Sequence, residues 1–154
     1  MTINLPLTGR CQCGATTYEV IAAPRACVAC HCKNCQRSSG GAFSVNLIVT
    51  ADDVRFTGQE PGQFTWTADS GNARAGRFCT SCGCRIAHGT PEWEGTVVIR
   101  SGTLDDTSMV RPAANIWLSA KQAWVVPDPA TLHFDGNVTD PAAVAAHYAE
   151  LMAG

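Results

Sequence analysis

The sequence predicts a mainly β fold, a sheet stapled by metal-bound cysteines, with a short helix at the C-terminus. Three observations predict it. Short runs of β-branched and aromatic residues recur along the chain with turn residues between them. Two glycine-terminated cysteine pairs lie 66 residues apart, counted from Cys13 to Cys79, and a shared metal ion is the usual reason for such a pairing. A helical start signal followed by helical periodicity stands at the very end.

The elements follow in order. Thr16 to Ile21 has strand composition just after the first cysteine pair. Ala42 to Thr50 (AFSVNLIVT) is a second strand, and Asp52-Asp53 turns the chain into Val54-Arg55-Phe56, which ends at Gly58. Phe64 to Thr67 is a further strand. Asp69-Ser70-Gly71-Asn72 is a strong turn, so this stretch reads as a hairpin returning to Arg77-Phe78-Cys79. Thr96 to Ser101 carries a continuous apolar run and is expected to be buried on both faces. Asn115 to Leu118 and Ala123 to Val126 are expected strands as well. Asp140 is placed as the N-cap of the final helix, with Pro141 at its first position. Val144, Tyr148, Leu151 and Met152 then share one face, which reads as a core contact.

The 154 residues suit one domain spanning 1–154. Charged residues make up 16 % and the net charge is -2, without a basic run, so nucleic acid is not an expected partner. No apolar run approaches the roughly 18 residues a membrane helix needs. Met1 to Arg10 lacks the basic start and apolar stretch of a signal peptide, so the expected location is the cytoplasm. There the nine cysteines are expected to be metal ligands rather than disulfides.

Cys11-Gln12-Cys13-Gly14 and Cys79-Thr80-Ser81-Cys82-Gly83 each present two sulfurs followed by a glycine able to make a tight turn. Together they form a four-cysteine tetrahedral set, the usual closed structural zinc site. Cys30, Cys32 and Cys35 place three more sulfurs within six residues. Three protein ligands leave one tetrahedral position free, as in catalytic zinc sites. Three thiolates outweigh one divalent ion by a charge, which makes the site a poor activator of water and a good holder of a soft thiol. His31 points away from the metal if the segment is extended. Cys27-x-x-Cys30 is itself a clip, so two arrangements stay open: a site with a vacancy, or one that Cys27 closes. Cys84 is spare. Arg37 is either a contact for a substrate carboxylate or an ordinary solvated charge. Ser38-Ser39-Gly40-Gly41 is either a ligand cradle or the turn into the next strand.

These motifs, in the order C-x-C-G, C-H-C-x-x-C-x-R-x-x-G and R-F-C-x-x-C-G, resemble the glutathione-dependent formaldehyde-activating enzyme (CENP-V/GFA) family. Cys11 to Gly14, Cys30 to Gly40 and Arg77 to Gly83 carry the resemblance, with Val98 to Leu104 and Ile116 to Val126 resembling later segments. The resemblance implies a mainly β, Mss4-like, zinc-stapled fold and two Zn2+ per chain. It implies a structural zinc on Cys11, Cys13, Cys79 and Cys82. It implies an open zinc on Cys30, Cys32 and Cys35, where a glutathione sulfur meets the metal. The implied reaction joins glutathione and formaldehyde into S-(hydroxymethyl)glutathione, a carbon–sulfur lyase reaction run in reverse. Members often carry a histidine where this chain has Asn115.

Two other readings remain beside an enzyme. One is a zinc-stabilised protein-binding module with both zincs structural, Cys27 closing the second, and Trp66 and Trp93 as anchors. The other is a redox protein using Cys27-x-x-Cys30, which lacks the βαβ context such motifs normally have.

Overall fold

The computed structural model describes residues 3–154, and these are mainly β. The strands are β1 (Leu7–Arg10), β2 (Thr16–Val20), β3 (Ala26–Cys30), β4 (Ser44–Thr50), β5 (Val54–Gly58), β6 (Gly62–Thr67), β7 (Ala73–Phe78), β8 (Arg85–Gly89), β9 (Thr96–Arg100), β10 (Ala114–Ile116) and β11 (Leu132–His133). The helices are α1 (Lys33–Ser39) and α2 (Pro141–Ala153). A small sheet has the order β1-β2-β5, and a large one the order β11-β10-β3-β4-β9-β8-β7-β6.

The register of the large sheet sorts its side chains into two faces, because directly paired residues point the same way. One row runs Cys27, Leu47, Ile99, Ala87. Each of the four is fully buried, and α2 packs against β3. Asp140 caps that helix, its Oδ1 accepting from the Ala143 N–H at 2.9 Å, and Val144, Tyr148 and Met152 are buried. The opposite face carries two mixed rows. Val28, Asn46 and Arg100 pair in one; Ile48, Val98, His88, Gly76 and Phe64 pair in the other. This second face is the floor of a cleft.

Most expected strands and the final helix form where the composition places them, including the β6–β7 hairpin. Ala123 to Val126 does not form a strand. Trp124 is 74 % and Val126 88 % exposed, and apolar composition without a pairing partner makes no strand. Four strands and a helix come in addition, the shortest being the two-residue β11, which pairs with β10. β1 is only four residues long and is defined by its pairing with β2. β3 is the cysteine-rich stretch ACVAC, buried along its whole length. β8 follows the second clip directly. Helix α1 occupies the segment after the second motif and takes Ser38 and Ser39 into its last turn. Gly40 ends it at φ 65°, so of the two readings of Ser38 to Gly41, ligand cradle or turn into the next strand, the segment takes the form of a helix C-terminus leading toward β4. No helix among the described residues is long and apolar enough to cross a membrane.

Candidate functional site

The two cysteine clips meet. The sulfurs of Cys11, Cys13, Cys79 and Cys82 all lie within 4.8 Å of one another. Cys13 Sγ stands 3.6 Å from Cys11 Sγ and 3.8 Å from Cys79 Sγ. Four sulfurs at tetrahedral zinc bond lengths are about 3.8 Å apart, whereas a disulfide needs about 2.05 Å. The spacing therefore fits a metal. The two clips share one backbone device: Cys11 N–H donates to Thr16 O at 2.9 Å and Cys79 N–H to Cys84 O at 3.0 Å. Gly14 (φ 81°) and Gly83 (φ 75°) make the left-handed turns that aim both sulfurs of each clip inward. Thr16 N–H adds a bond to Cys11 Sγ at 3.3 Å, which holds that sulfur in the turn.

The second set, Cys30, Cys32 and Cys35, also lies within 4.8 Å, and all three residues are buried. Cys30 ends β3 and Cys35 sits in the first turn of α1. Cys32 is the helix N-cap, with its sulfur accepting from Cys35 N–H at 3.4 Å. A thiol in the capping role normally held by serine or aspartate is what folds the turn. Ile116 and Trp117 pack against the three sulfurs, and Trp117 does so from a left-handed backbone (φ 58°). Its indole N–H is anchored on Asn137 Oδ1 at 3.0 Å.

Cys35 carries the strongest electrostatic support. The thiols of Cys30 and Cys32 donate to it and, with the charge of Arg100, hold it well below the ordinary thiol range. Arg100 is buried and its Nη1 lies 3.6 Å from Cys35 Sγ. The same guanidinium donates to Asn46 Oδ1 at 3.0 Å, to Ser38 Oγ at 2.6 Å and to Ser44 Oγ. One buried cation thus offsets the surplus negative charge of three thiolates.

The three cysteines open into a cleft of about 450 Å³ on the face of the large sheet opposite α2. Four arginines line it, Arg37, Arg74, Arg85 and Arg100, against one carboxylate, Asp69. Phe64 and Trp66 form part of the wall opposite the cysteines. His88 lies on the floor, and burial, then the Arg100 charge, pushes its pKa down to about 3. It is neutral at physiological pH.

The model of the glutathione-dependent formaldehyde-activating enzyme family matches residues 6–120, which span both cysteine sets and the cleft floor. The chain belongs to this family. No curated protein sequence matches it. Among solved structures, the crystal structure of a Rhodobacter sphaeroides protein is similar at 16 % identity and a TM-score of 0.52, covering 83 % of this chain and 99 % of that one. That likeness concerns the fold.

Within the family frame, each residue singled out from the sequence has a definite place. Cys27 does not join the second set. It lies three residues before Cys30 on one strand, hence on the opposite face. There burial pushes its thiol up to about 12. The arrangement in which Cys27 closes the centre is therefore not the one this fold builds. Cys84 is half-buried beside the first centre and outside it. Trp93 packs on Phe56 and under the Arg77 guanidinium, as a core tryptophan does. Arg37 is exposed in the last turn of α1, at the edge of the cleft.

His31 is fully buried, turned from the sulfurs, with Nε2 2.8 Å from Asn115 Oδ1. Asn115 in turn donates to Thr131 Oγ1 at 2.7 Å. It pairs with Ala29, on the face away from Cys30, and does not line the cleft. Asn115 thus anchors the cysteine turn through His31 and forms no part of the cleft wall. Sequence reasoning missed Arg100, Arg85, Arg74 and Trp117. The only signal for Arg100 was a charge closing the apolar run Val97-Val98-Ile99.

Proposed function

We propose that the cleft binds a small thiol, glutathione in the family's named reaction, and that the chain adds it to a small aldehyde. The activity is S-(hydroxymethyl)glutathione synthase-like, that of a carbon–sulfur lyase working in the direction of synthesis. The observation that carries the reading is the pairing of an incomplete sulfur set, Cys30, Cys32 and Cys35, with a cleft that reaches it. Both sulfur sets suit zinc. Bound at Cys30, Cys32 and Cys35, zinc would offer one exchangeable position and the positive charge that keeps a thiol ionised at neutral pH. The set at Cys11, Cys13, Cys79 and Cys82 would hold a structural ion.

The protein's own groups supply the rest. Arg100 limits the negative charge at the sulfurs. Ile116 and Trp117 shield them from bulk water, which strengthens every charge interaction within. As the thiol sulfur adds to a carbonyl carbon, negative charge moves to the carbonyl oxygen. The arginine field of the cleft stabilises that oxygen, and solvent at the open mouth returns its proton. Thiols add to formaldehyde unaided, so the test is kinetic. Zinc-loaded protein should raise the rate of adduct formation in proportion to protein concentration, and the rise should vanish in Cys35→Ser. A rate equal to the uncatalysed one at every protein concentration refutes catalysis.

A further inference from the structure

We propose that the far wall of the cleft is a carboxylate subsite centred on Arg85, so that the thiol taken by this protein carries a carboxylate remote from its sulfur. The inference rests on the thiol reading of the cysteine side of the cleft and adds the residue that would recognise the far end of that thiol.

Three local features act together to put Arg85 there. The first is a bulge. Arg77 pairs with Ala87, yet Phe78 pairs with Arg85, so β8 holds one extra residue, Ile86. In a regular ladder Arg85 would alternate to the buried face. The extra residue turns it onto the face of Gly76 and His88, the cleft side. The second feature is Gly76, in mid-strand. A Cβ there would stand 2.5 Å from Arg85 Cζ and Nη1, and 2.8 Å from Phe64 Cε1. The guanidinium fills the space that any other residue would occupy. The third is an aromatic platform: Arg85 Cζ lies 4.3 Å over the Phe64 ring and 5.3 Å from that of Trp66, with the two rings stacked at 5.3 Å. Cation–π contact of this kind holds a guanidinium in place while leaving its N–H donors available.

The guanidinium so placed makes no ion pair with a carboxylate among the described residues. Among the described residues the carboxylate ion pairs are Arg10–Asp105 and His147–Glu150. None involves a cleft arginine. Arg74, which pairs with Trp66 across β6 and β7, adds a second unpaired cation on the same wall. Arg85 is half-buried, and a partly desolvated guanidinium without a carboxylate against it is a costly arrangement that an anion relieves. A flat guanidinium presents two parallel donors, which match the two oxygens of a carboxylate.

The test uses Co(II)-loaded protein, whose visible absorption changes when a thiol meets the metal. Wild type, Arg85→Gln and Gly76→Ala are titrated with glutathione, with its diethyl ester and with 2-mercaptoethanol. Arg85→Gln removes the charge; Gly76→Ala keeps it but displaces it. Both variants should bind glutathione about tenfold more weakly, with the ester and 2-mercaptoethanol within about twofold of wild type. Wild type should prefer glutathione to the ester by a similar factor. Equal binding of glutathione and ester by wild type, or a loss in Arg85→Gln shared by 2-mercaptoethanol, overturns the subsite alone. A wild-type spectrum that 2-mercaptoethanol leaves unchanged overturns the thiol reading, and the subsite with it. If Arg85→Gln loads metal poorly, Arg85→Lys replaces it, and the expected loss for glutathione is smaller but still absent for 2-mercaptoethanol.

Discussion

Arg100 shows how one side chain serves stability and chemistry together. It bonds a cysteine sulfur, two serines and an asparagine, so its removal strands several buried groups. Arg100→Gln should cost about 3 kcal/mol of stability and weaken metal binding at the three-cysteine set by about 10- to 100-fold. Denaturant melts and competition with a chromogenic chelator measure the two effects. Cys27→Ala is the contrasting case. It should cost about 1 kcal/mol through lost packing and leave the metal content of the protein unchanged, as read by elemental analysis. A fall of one ion per chain would place Cys27 among the ligands after all. His88 gives a pH signature. Its folded-state pKa is about 3 against an ordinary 6.5, so the unfolded chain binds the proton first on acidification. The stability tied to keeping His88 neutral is fully present above pH 6.5 and is lost as pH falls toward 3. His88→Gln should be relatively more stable than wild type at pH 5 than at pH 7, by up to about 2 kcal/mol.

At the scale of elements, the cysteine clips and the long apolar strands were legible because their signals are local. Ala42 to Thr50 and Thr96 to Ser101 state their own burial in composition. β3 was hidden, since ACVAC reads as ligand chemistry before it reads as a strand. Only its pairing with β4 and β10 separates Cys27 from Cys30 by face. Helix α1 was hidden for a related reason: its cap is a thiol, and its seven residues are too few to show a period. The bulge in β8 depends on its neighbour β7, so no reading of Arg85 to Gly89 alone reveals which way Arg85 turns. β1 offers an element-level test. A Cβ on Gly9 would collide with the Tyr18 ring and with Thr103 O. Tyr18 OH is tied to Thr103 Oγ1 at 2.8 Å and has little freedom to yield. Gly9→Ala should therefore cost about 2–4 kcal/mol and loosen the adjoining Cys11–Cys13 clip, measured by thermal melting with and without excess metal.

For the molecule as a whole, the two sulfur sets do different structural work. The four-cysteine set ties the chain before β2 to the chain before β8, across most of the fold. The three-cysteine set is confined to one turn. Metal bound at the first set would contribute directly to folding free energy, as no preformed site exists in the unfolded chain. A chelator titration should release metal in two phases. The first, from the three-cysteine set, should leave near-UV circular dichroism largely intact; the second should coincide with loss of tertiary structure. A single phase in which metal and fold are lost together would remove this distinction.

The reach of the two cysteine sets also gives synthesis an order. The turn at Cys30 to Cys35 has all its sulfurs as soon as that short stretch leaves the ribosome. The set that includes Cys82 stays half-built until more than half of the 154 residues have emerged. A nascent chain therefore has the three-sulfur turn complete while its four-sulfur fastening is unfinished, and any metal the two sets take would find them in that order.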